Sequence, residues 1–303
     1  MNVLIVGLGS IASKHINAIR QIDKDARIYA LRSNQKADIK EGVINLYSVE
    51  EAKSFPFDFA VISNPTSERK KTIHTLLAFK CPLLIEKPVS DTVEMQGLIS
   101  EIKQLGILTC IACNLRFLDS LRFVKEELSK NRKRINEVNV YCGSYLPEWR
   151  SNVDFRMSYS ARRDLGGGVQ FDLIHEIDYI YWLFGKPNHV TKTLRSASSL
   201  QIDAIDYANY CLAYDEFCVG ITLNYYRRDY KRTLEILFDD QTWFVDLKKN
   251  VIFSNETIIF ESSQQISDTY LEQMRYFCRL IQTNAKSSFN SVEDAVEALN
   301  IGI

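Results

Sequence analysis

The sequence predicts an α/β fold: a doubly wound parallel sheet over residues 1–118, followed by an α/β domain with an open, mainly antiparallel sheet over residues 119–303. Three observations carry this. A glycine-rich turn, Gly7-Leu8-Gly9-Ser10-Ile11-Ala12, follows the strand-like Val3-Leu4-Ile5-Val6 and opens an amphipathic stretch. Up to about residue 118 short apolar runs alternate with such stretches, the pattern of a parallel sheet covered by helices. Beyond that point the chain becomes rich in Tyr and Arg and alternates in polarity, as strands with one covered face do.

Taken in order, the first part offers strands at residues 2–6, 27–31, 43–46, 58–63, 82–85 and 107–113. Helices are expected at 11–22, where Ile11, Ile16 and Ile19 share a face, at 66–79, and at 92–105 behind a Ser90 cap. Another helix is expected at 118–131. The second part begins with a strand at 137–145, a long loop at 146–167 and a helix at 168–184. Strands at 188–197, 206–214, 217–226, 233–238 and 241–247 then read as a meander, and helices at 269–283 and 291–301 follow.

Composition narrows the class of function. With 303 residues, 46% hydrophobic and 25% charged, the chain is long enough to bury sizeable cores without staples. A net charge of -1 gives no general attraction to nucleic acid or to an anionic membrane, so neither is an expected partner. No basic leader precedes the first strand, and no apolar run approaches the roughly 18 residues of a membrane helix. A cytoplasmic protein is expected. Seven cysteines, an odd number, fit reduced thiols. Cys110 and Cys113 form a C-x-x-C inside an apolar run that reads as a buried strand, and no metal site is expected.

The glycine turn has the form of a dinucleotide fingerprint. Gly7 and Gly9 allow a tight turn and close approach to a pyrophosphate, the amides of Ser10 and Ile11 open the helix that would face it, and Ala12 lets that helix pack on its strand. An acid expected at the end of the second strand to hold a ribose hydroxyl is replaced by Arg32-Ser33. A guanidinium and a hydroxyl there favour NADP over NAD, the alternative being a solvated arginine beside an NAD site that tolerates it. Further along, Glu86-Lys87-Pro88 follows the apolar run 82–85 and places a lysine at the same edge of the sheet.

These motifs, with Lys14-His15, Ser63-Asn64-Pro65-Thr66, Asn114-Leu115-Arg116-Phe117 and Gly166-Gly167-Gly168 leading to Asp172 and His175, occur in the order of the Gfo/Idh/MocA oxidoreductases. The resemblance runs over nearly the whole chain. It implies a Rossmann domain with a C-terminal α/β domain, NAD(P) as cofactor, and sugars, cyclitols or their derivatives as substrates. It implies Lys87 as the catalytic lysine, His175 as a second catalytic group with Asp172 beside it, and a Lys87-Pro88 bond that is often cis. Ser63, Asn64 and Pro65 would line the nicotinamide side, with Glu86, Lys87 and Asn114 also at the cofactor. The sequence departs from the family where Asp172 stands three rather than four residues before His175, a spacing that still puts both on one helix face, and where Arg69 replaces a frequent histidine.

Moving a hydride from a carbinol requires a proton to leave the same oxygen, so Lys87 is the expected acid/base group, with His175 sharing the proton or orienting the hydroxyl. The alternative for His175 is packing along its helix. His15, His74 and His189 read as surface or packing residues. In the loop, Trp149, Arg150, Arg156 and Arg163, with Arg116, are candidate substrate residues, since arginines among aromatics can grip a phosphate or carboxylate and a ring. They can equally pair with Glu148, Asp154 and Asp164 to order the loop. Arg227, Arg228, Lys231 and Arg232 form a second basic cluster, at a site rim or a solvated strand end. The loop resembles family members associated with surface-polysaccharide and nonulosonate-type sugars, which points to an acidic or nucleotide-linked sugar.

The resulting expectation is a dehydrogenase or reductase of a sugar, sugar acid or nucleotide sugar, self-associated as a dimer or tetramer through its open sheet. Two rivals keep the fold: a dinucleotide-sensing protein without turnover, and an NAD-assisted elimination or glycosidic cleavage.

Overall fold

The computed structural model describes residues 1–32, 40–130, 133–150 and 154–303. Its elements begin with β1 (Asn2–Val6), α1 (Ser10–Ile22), β2 (Arg27–Leu31), β3 (Val43–Leu46), α2 (Val49–Ala52), β4 (Phe59–Ile62), α3 (Thr66–Leu76), β5 (Leu83–Ile85), α4 (Gln96–Leu105) and β6 (Thr109–Ile111). All six strands are parallel, in the order β3-β2-β1-β4-β5-β6. The order reverses between β1 and β4, which is where such sheets open a crevice at their carboxyl ends. β4 is buried along its whole length, and α1 turns Ala12, Ile16 and Ile19 inward. Two expectations change here. Ser90 caps only a turn, its hydroxyl accepting from the Thr92 amide at 3.2 Å, and α4 begins later behind Met95. The short α2 was not expected, although Ser48 accepts from the Glu51 amide at 3.0 Å and Glu51 reaches back to the Tyr47 amide at 2.8 Å.

The chain continues through α5 (Asp119–Lys130), β7 (Ile135–Tyr145), α6 (Val169–Asp172), α7 (Ile174–Phe184), β8 (His189–Arg195), β9 (Tyr207–Ala213), β10 (Cys218–Asn224), β11 (Tyr226–Phe238), β12 (Thr242–Asp246), β13 (Val251–Ser254) and β14 (Thr257–Glu261). These eight strands form one sheet, β14-β13-β12-β11-β7-β10-β9-β8, antiparallel except where β10 lies parallel to β7. Alternate residues such as Val138, Val140, Tyr210, Leu212, Ile221 and Ile236 are buried, while their neighbours are more open to solvent. The hairpin of β13 and β14 was not expected. Its turn uses Asn255 at φ 52° followed by Glu256, without the glycine that marks such turns most strongly.

Last come α8 (Thr269–Gln282) and α9 (Val292–Gly302). Two compact units result: Met1–Cys113 with Tyr270–Leu299, and Asn114–Thr269 with Asn300–Ile303. In the first, α8 sends Met274, Phe277 and Cys278 into the core beneath the parallel sheet, where Phe277 meets Phe59 edge-on at 5.4 Å. Asn290 closes the outer edge of β6, its carbonyl accepting from the Ile111 amide and its Nδ2 donating to the Ile111 carbonyl, both at 2.8 Å. An edge so covered cannot recruit another strand.

Candidate active site

Strand register builds the first half of the site. Val6 pairs with Leu31 on one side and Ile62 on the other, and Ile62 pairs with Ile85. The residues that follow, Arg32, Gly7, Ser63 and Glu86, therefore stand in a row at the carboxyl edge of four adjacent strands. Strands lie about 4.8 Å apart, so the row spans roughly 14 Å, the scale of an extended dinucleotide.

Gly7 and Gly9 have different physical reasons. Gly7 has φ +90°, and a Cβ there would lie 2.6 Å from the Asn64 amide nitrogen. It is fixed by the backbone of the β4–α3 loop. A Cβ on Gly9 would meet nothing within 4 Å, so space is left in front of α1. That helix has no side-chain cap and no acid in its first turn, leaving the amides that include Ser10 and Ile11 to an outside anion. Behind them Ala12 is fully buried.

A cleft of about 660 Å³ adjoins this row, lined by Gly7, Leu8, Arg32, Tyr47, Asn64, Pro65 and Lys71 among others. Arg32 donates from Nη1 to Asn45 Oδ1 at 3.1 Å, which fixes its fork at the end of β2. Ser33 lies outside the described residues. Ser63 donates from its hydroxyl to the Gly7 carbonyl at 2.7 Å, tying β4 to the glycine turn. Asn64 donates from Nδ2 to Thr72 Oγ1 at 2.7 Å, and its buried Oδ1 has no hydrogen-bond partner among the described residues. An uncapped helix, an open cradle and an acceptor left buried together fit a bound dinucleotide.

Glu86, Lys87 and Pro88 follow β5, with the Lys87–Pro88 bond cis. Glu86 is buried and meets His15, on α1, at 2.7 Å between Nε2 and Oε1. Its other oxygen accepts from the Lys87 amide at 3.2 Å. Burial works to raise the Glu86 pKa, but the His15 hydrogen bond and the charges of Lys87 and Arg69 outweigh it, and the net shift is downward. His15, read from the sequence as a surface or packing residue, is thus a buried packing residue that also partners Glu86. Its position on the face of Ala12, Ile16 and Ile19 was legible, and a histidine on a buried face requires a partner. Arg69, also buried, donates to the Pro88 carbonyl and, from Nη2, to the Asn64 carbonyl at 2.8 Å, so it staples the β4–α3 loop to the proline.

The second unit holds the remaining candidates. The expected continuous helix over 168–184 breaks at Leu173, with φ -101° and ψ 27°, so Asp172 ends α6 while His175 lies in the first turn of α7. Their common helix face therefore does not exist as a single turn of helix. Asp172 accepts from the buried Tyr225 hydroxyl at 2.5 Å; burial and this carboxylate push the Tyr225 pKa well above its usual value, keeping it a donor. His175 is 8% exposed. Its helix is pinned on both sides: Arg116 donates from Nε and Nη2 to Asp178 at 2.9 and 2.7 Å, and Arg232 meets Glu176 at 2.8 Å. Arg116 is buried in this pair, which gives it a structural role among the residues proposed for substrate. Arg232 is buried as well, so it belongs to no solvated strand end.

The described parts of the loop after β7 are held by their own contacts. A Cβ on Gly167 would sit 2.1 Å from the Tyr159 carbonyl oxygen, so the triple glycine packs against the preceding turn. Arg162 pairs with Asp164 at 2.5 Å, and Arg156 lies 4.0 Å from Asp154 and over the Phe155 ring. The Arg163 amide donates to Asp203 at 3.3 Å. Trp149 and Arg150 line one small depression with Phe155, Ser158 and Ser160, and Trp149 meets Tyr225 edge-on at 5.4 Å. Asn114 donates to Thr269 Oγ1 at 2.7 Å and is buried. Among the described residues no group of three His, Cys, Asp or Glu could hold a metal ion, and no helix is long and apolar enough to cross a membrane.

Comparison with known proteins gives a consistent set. Residues 1–106 match the model described as "Oxidoreductase family, NAD-binding Rossmann fold", and residues 133–243 match the GFO/IDH/MocA C-terminal domain. An "uncharacterized oxidoreductase" of Synechocystis sp. is 25% identical over 218 residues, 68% of this chain and 57% of its own length. The chain thus spans little more than half of that relative. Among solved structures, levoglucosan dehydrogenase in complex with NADH superimposes with a TM-score of 0.86 at 15% identity, covering 99% of this chain and 95% of that one. The UDP-N-acetylglucosamine 3-dehydrogenase of Acidithiobacillus ferrooxidans and the myo-inositol 2-dehydrogenase of Lactobacillus plantarum each give 0.81, at 16% and 17% identity, covering 100% of this chain and 95% of theirs. At such identities the likeness establishes the fold.

Proposed function

Because the chain belongs to the GFO/IDH/MocA oxidoreductase family, we propose that it transfers a hydride between a nicotinamide dinucleotide and a hydroxyl-bearing carbon of a sugar, sugar acid or nucleotide sugar. The observation that carries this reading is the row of Arg32, Gly7, Ser63 and Glu86 along one sheet edge, ending at Lys87. The free amides of α1 hold the pyrophosphate. Arg32, steadied by Asn45, takes the adenosine ribose end and favours the 2'-phosphate of NADP over NAD. Ser63, Asn64 and Pro65 flank the nicotinamide half, with Asn114 also assigned to the cofactor. When bound, the dinucleotide supplies the hydride acceptor or donor.

The chain's own residues handle the proton. Lys87 accepts it from the substrate hydroxyl in oxidation and returns it in reduction, while His175 orients that hydroxyl and Asp172, held by Tyr225, assists. Trp149, Arg150, Arg156 and Arg163 bind the rest of a polar ring or its acidic substituent. The solved structures with the same fold include enzymes named for levoglucosan, UDP-N-acetylglucosamine and myo-inositol, polyhydroxylated rings in each case, which supports a substrate of that chemistry. The open sheet of the second unit is the surface for self-association, as a dimer or tetramer. Five of the seven free cysteines are buried, in keeping with a reducing, cytoplasmic setting.

The test screens sugars, sugar acids and sugar nucleotides with NADP and NAD, following nicotinamide absorbance. Lys87→Ala is expected to lose about 10²- to 10⁴-fold in kcat, a loss that saturating dinucleotide does not restore. Full turnover in that variant would remove Lys87 from the chemistry. An Arg32→Ala enzyme with unchanged cofactor preference would remove the NADP assignment.

A further inference from the structure

The pair of His15 and Glu86 lies behind the sheet edge, and nothing in the proton chemistry above uses it. Its geometry is specific. Glu86 divides its two oxygens: Oε1 meets His15 Nε2 at 2.7 Å, and Oε2 accepts from the Lys87 amide at 3.2 Å. With Glu86 held as a carboxylate, Nε2 of His15 carries the proton and donates it. The side chains of the pair are 1% and 5% exposed, so water does not compete for these bonds.

A buried ionic or polar pair is seldom the cheapest way to fill a core, because well-packed apolar residues of similar volume are often as stable. What the pair does provide is a fixed link between two elements. His15 sits in α1, about one turn beyond the amides that face an anion, and Glu86 immediately precedes Lys87. The surroundings hold the imidazole rather than bond it: the Tyr270 ring stands edge-on at 6.1 Å, Lys14 Nζ covers the Tyr270 face at 4.6 Å, and His15 Nδ1 has no hydrogen-bond partner among the described residues. All the directional bonding of His15 therefore runs toward Glu86. At the far end of the same tripeptide Arg69 holds the Pro88 carbonyl, so Lys87 is suspended between two anchored neighbours.

We propose that His15 is a positioning residue: through Glu86 it ties the phosphate-facing helix α1 to the peptide of Lys87, so that a dinucleotide seated on α1 sets the placement of the Lys87 amine. This rests on the reading of α1 and Lys87 given under the proposed function. The coupling needs no substrate, and it can be measured without turnover.

Trace acylation of the lysine amines, read peptide by peptide by mass spectrometry, reports the Lys87 reactivity with and without saturating NADPH or NADH. In the wild type the bound dinucleotide is expected to change the Lys87 acylation rate at least tenfold. In His15→Ala that response falls below threefold while the dinucleotide dissociation constant rises less than threefold; His15→Gln, whose amide can still donate to Glu86, restores it. Glu86→Leu carries the test if the alanine variant fails to fold, since its side chain can accept from neither His15 nor the Lys87 amide, and it is expected to lose the response as well. A wild-type rate indifferent to both dinucleotides overturns the reading of Lys87 at the cofactor, and this proposal with it. A normal wild-type response retained in full by His15→Ala, or by Glu86→Leu where that variant carries the test, overturns the positioning role alone.

Discussion

Gly7 and Gly9 are two residues apart and should fail in opposite ways. Alanine at position 7 meets both a positive φ and the Asn64 backbone, and the backbone strain alone costs about 1–3 kcal/mol. Gly7→Ala is therefore expected to lower the melting temperature by several degrees. Alanine at position 9 projects into open space, so Gly9→Ala should melt with the wild type yet bind NADH or NADPH at least tenfold more weakly. Calorimetry and a fluorescence titration separate the two. Glu86 offers a second test at this scale. Its folded-state pKa lies below the ordinary 4.5, so its ionisation stabilises the native protein above that pH, and this contribution is lost as the pH falls through the depressed value. Melting curves taken downward from pH 5 should fall more steeply for wild type than for Glu86→Gln. The places of the glycine turn, Arg32 and Lys87 just beyond strand ends could be read from spacing in the sequence. The partnership of His15 with Glu86 could not, because 70 residues of intervening chain give no sign of which carboxylate a buried imidazole meets.

At the scale of elements, α7 shows how the helix that carries His175 is held. Arg116 and Asp178 are bonded twice in a site closed to water, and removing one partner leaves a buried charge unpaired at about 3–5 kcal/mol. Asp178→Ala should lose that much in urea denaturation, whereas the double replacement Arg116→Met with Asp178→Leu should recover most of it. Equal losses in the single and double variants would mean that the pair does not act as a unit. The parallel strands were legible because apolar runs of four or five residues punctuated by turns have few other readings. The break at Leu173 was not: no glycine or proline marks it, and the local pattern still reads as one helix. The hairpin of β13 and β14 escaped for a related reason, since Ile258 and Ile259 of its outer strand are consecutive apolar residues on an exposed edge, with no alternation to announce a strand. By contrast, Ser48 and Glu51 carried the signature of α2 openly, in a helix too short for periodicity to register.

On the scale of the molecule, each half of the chain shows the layer pattern that composition suggested, a parallel sheet in one and a mainly antiparallel sheet in the other. What alternation of polarity could not reveal is which half the last helices serve, because an amphipathic helix declares that it has an apolar face and leaves open where that face is buried. Phe277 settles this for α8: it is fully buried against Phe59 of the parallel sheet. Phe277→Ala is expected to destabilise the first unit by about 3–5 kcal/mol, read as earlier hydrogen exchange of β1 and β4 amides. Exchange confined to the second sheet would contradict that placement.

The return of α8 also sets an order of events at birth. In chain order, residues 114–269 separate the parallel sheet from the helix that completes its core. At about 5–20 residues per second, a ribosome takes on the order of ten seconds to cover that interval. Throughout it the apolar residues that Met274, Phe277 and Cys278 meet in the finished core await that helix.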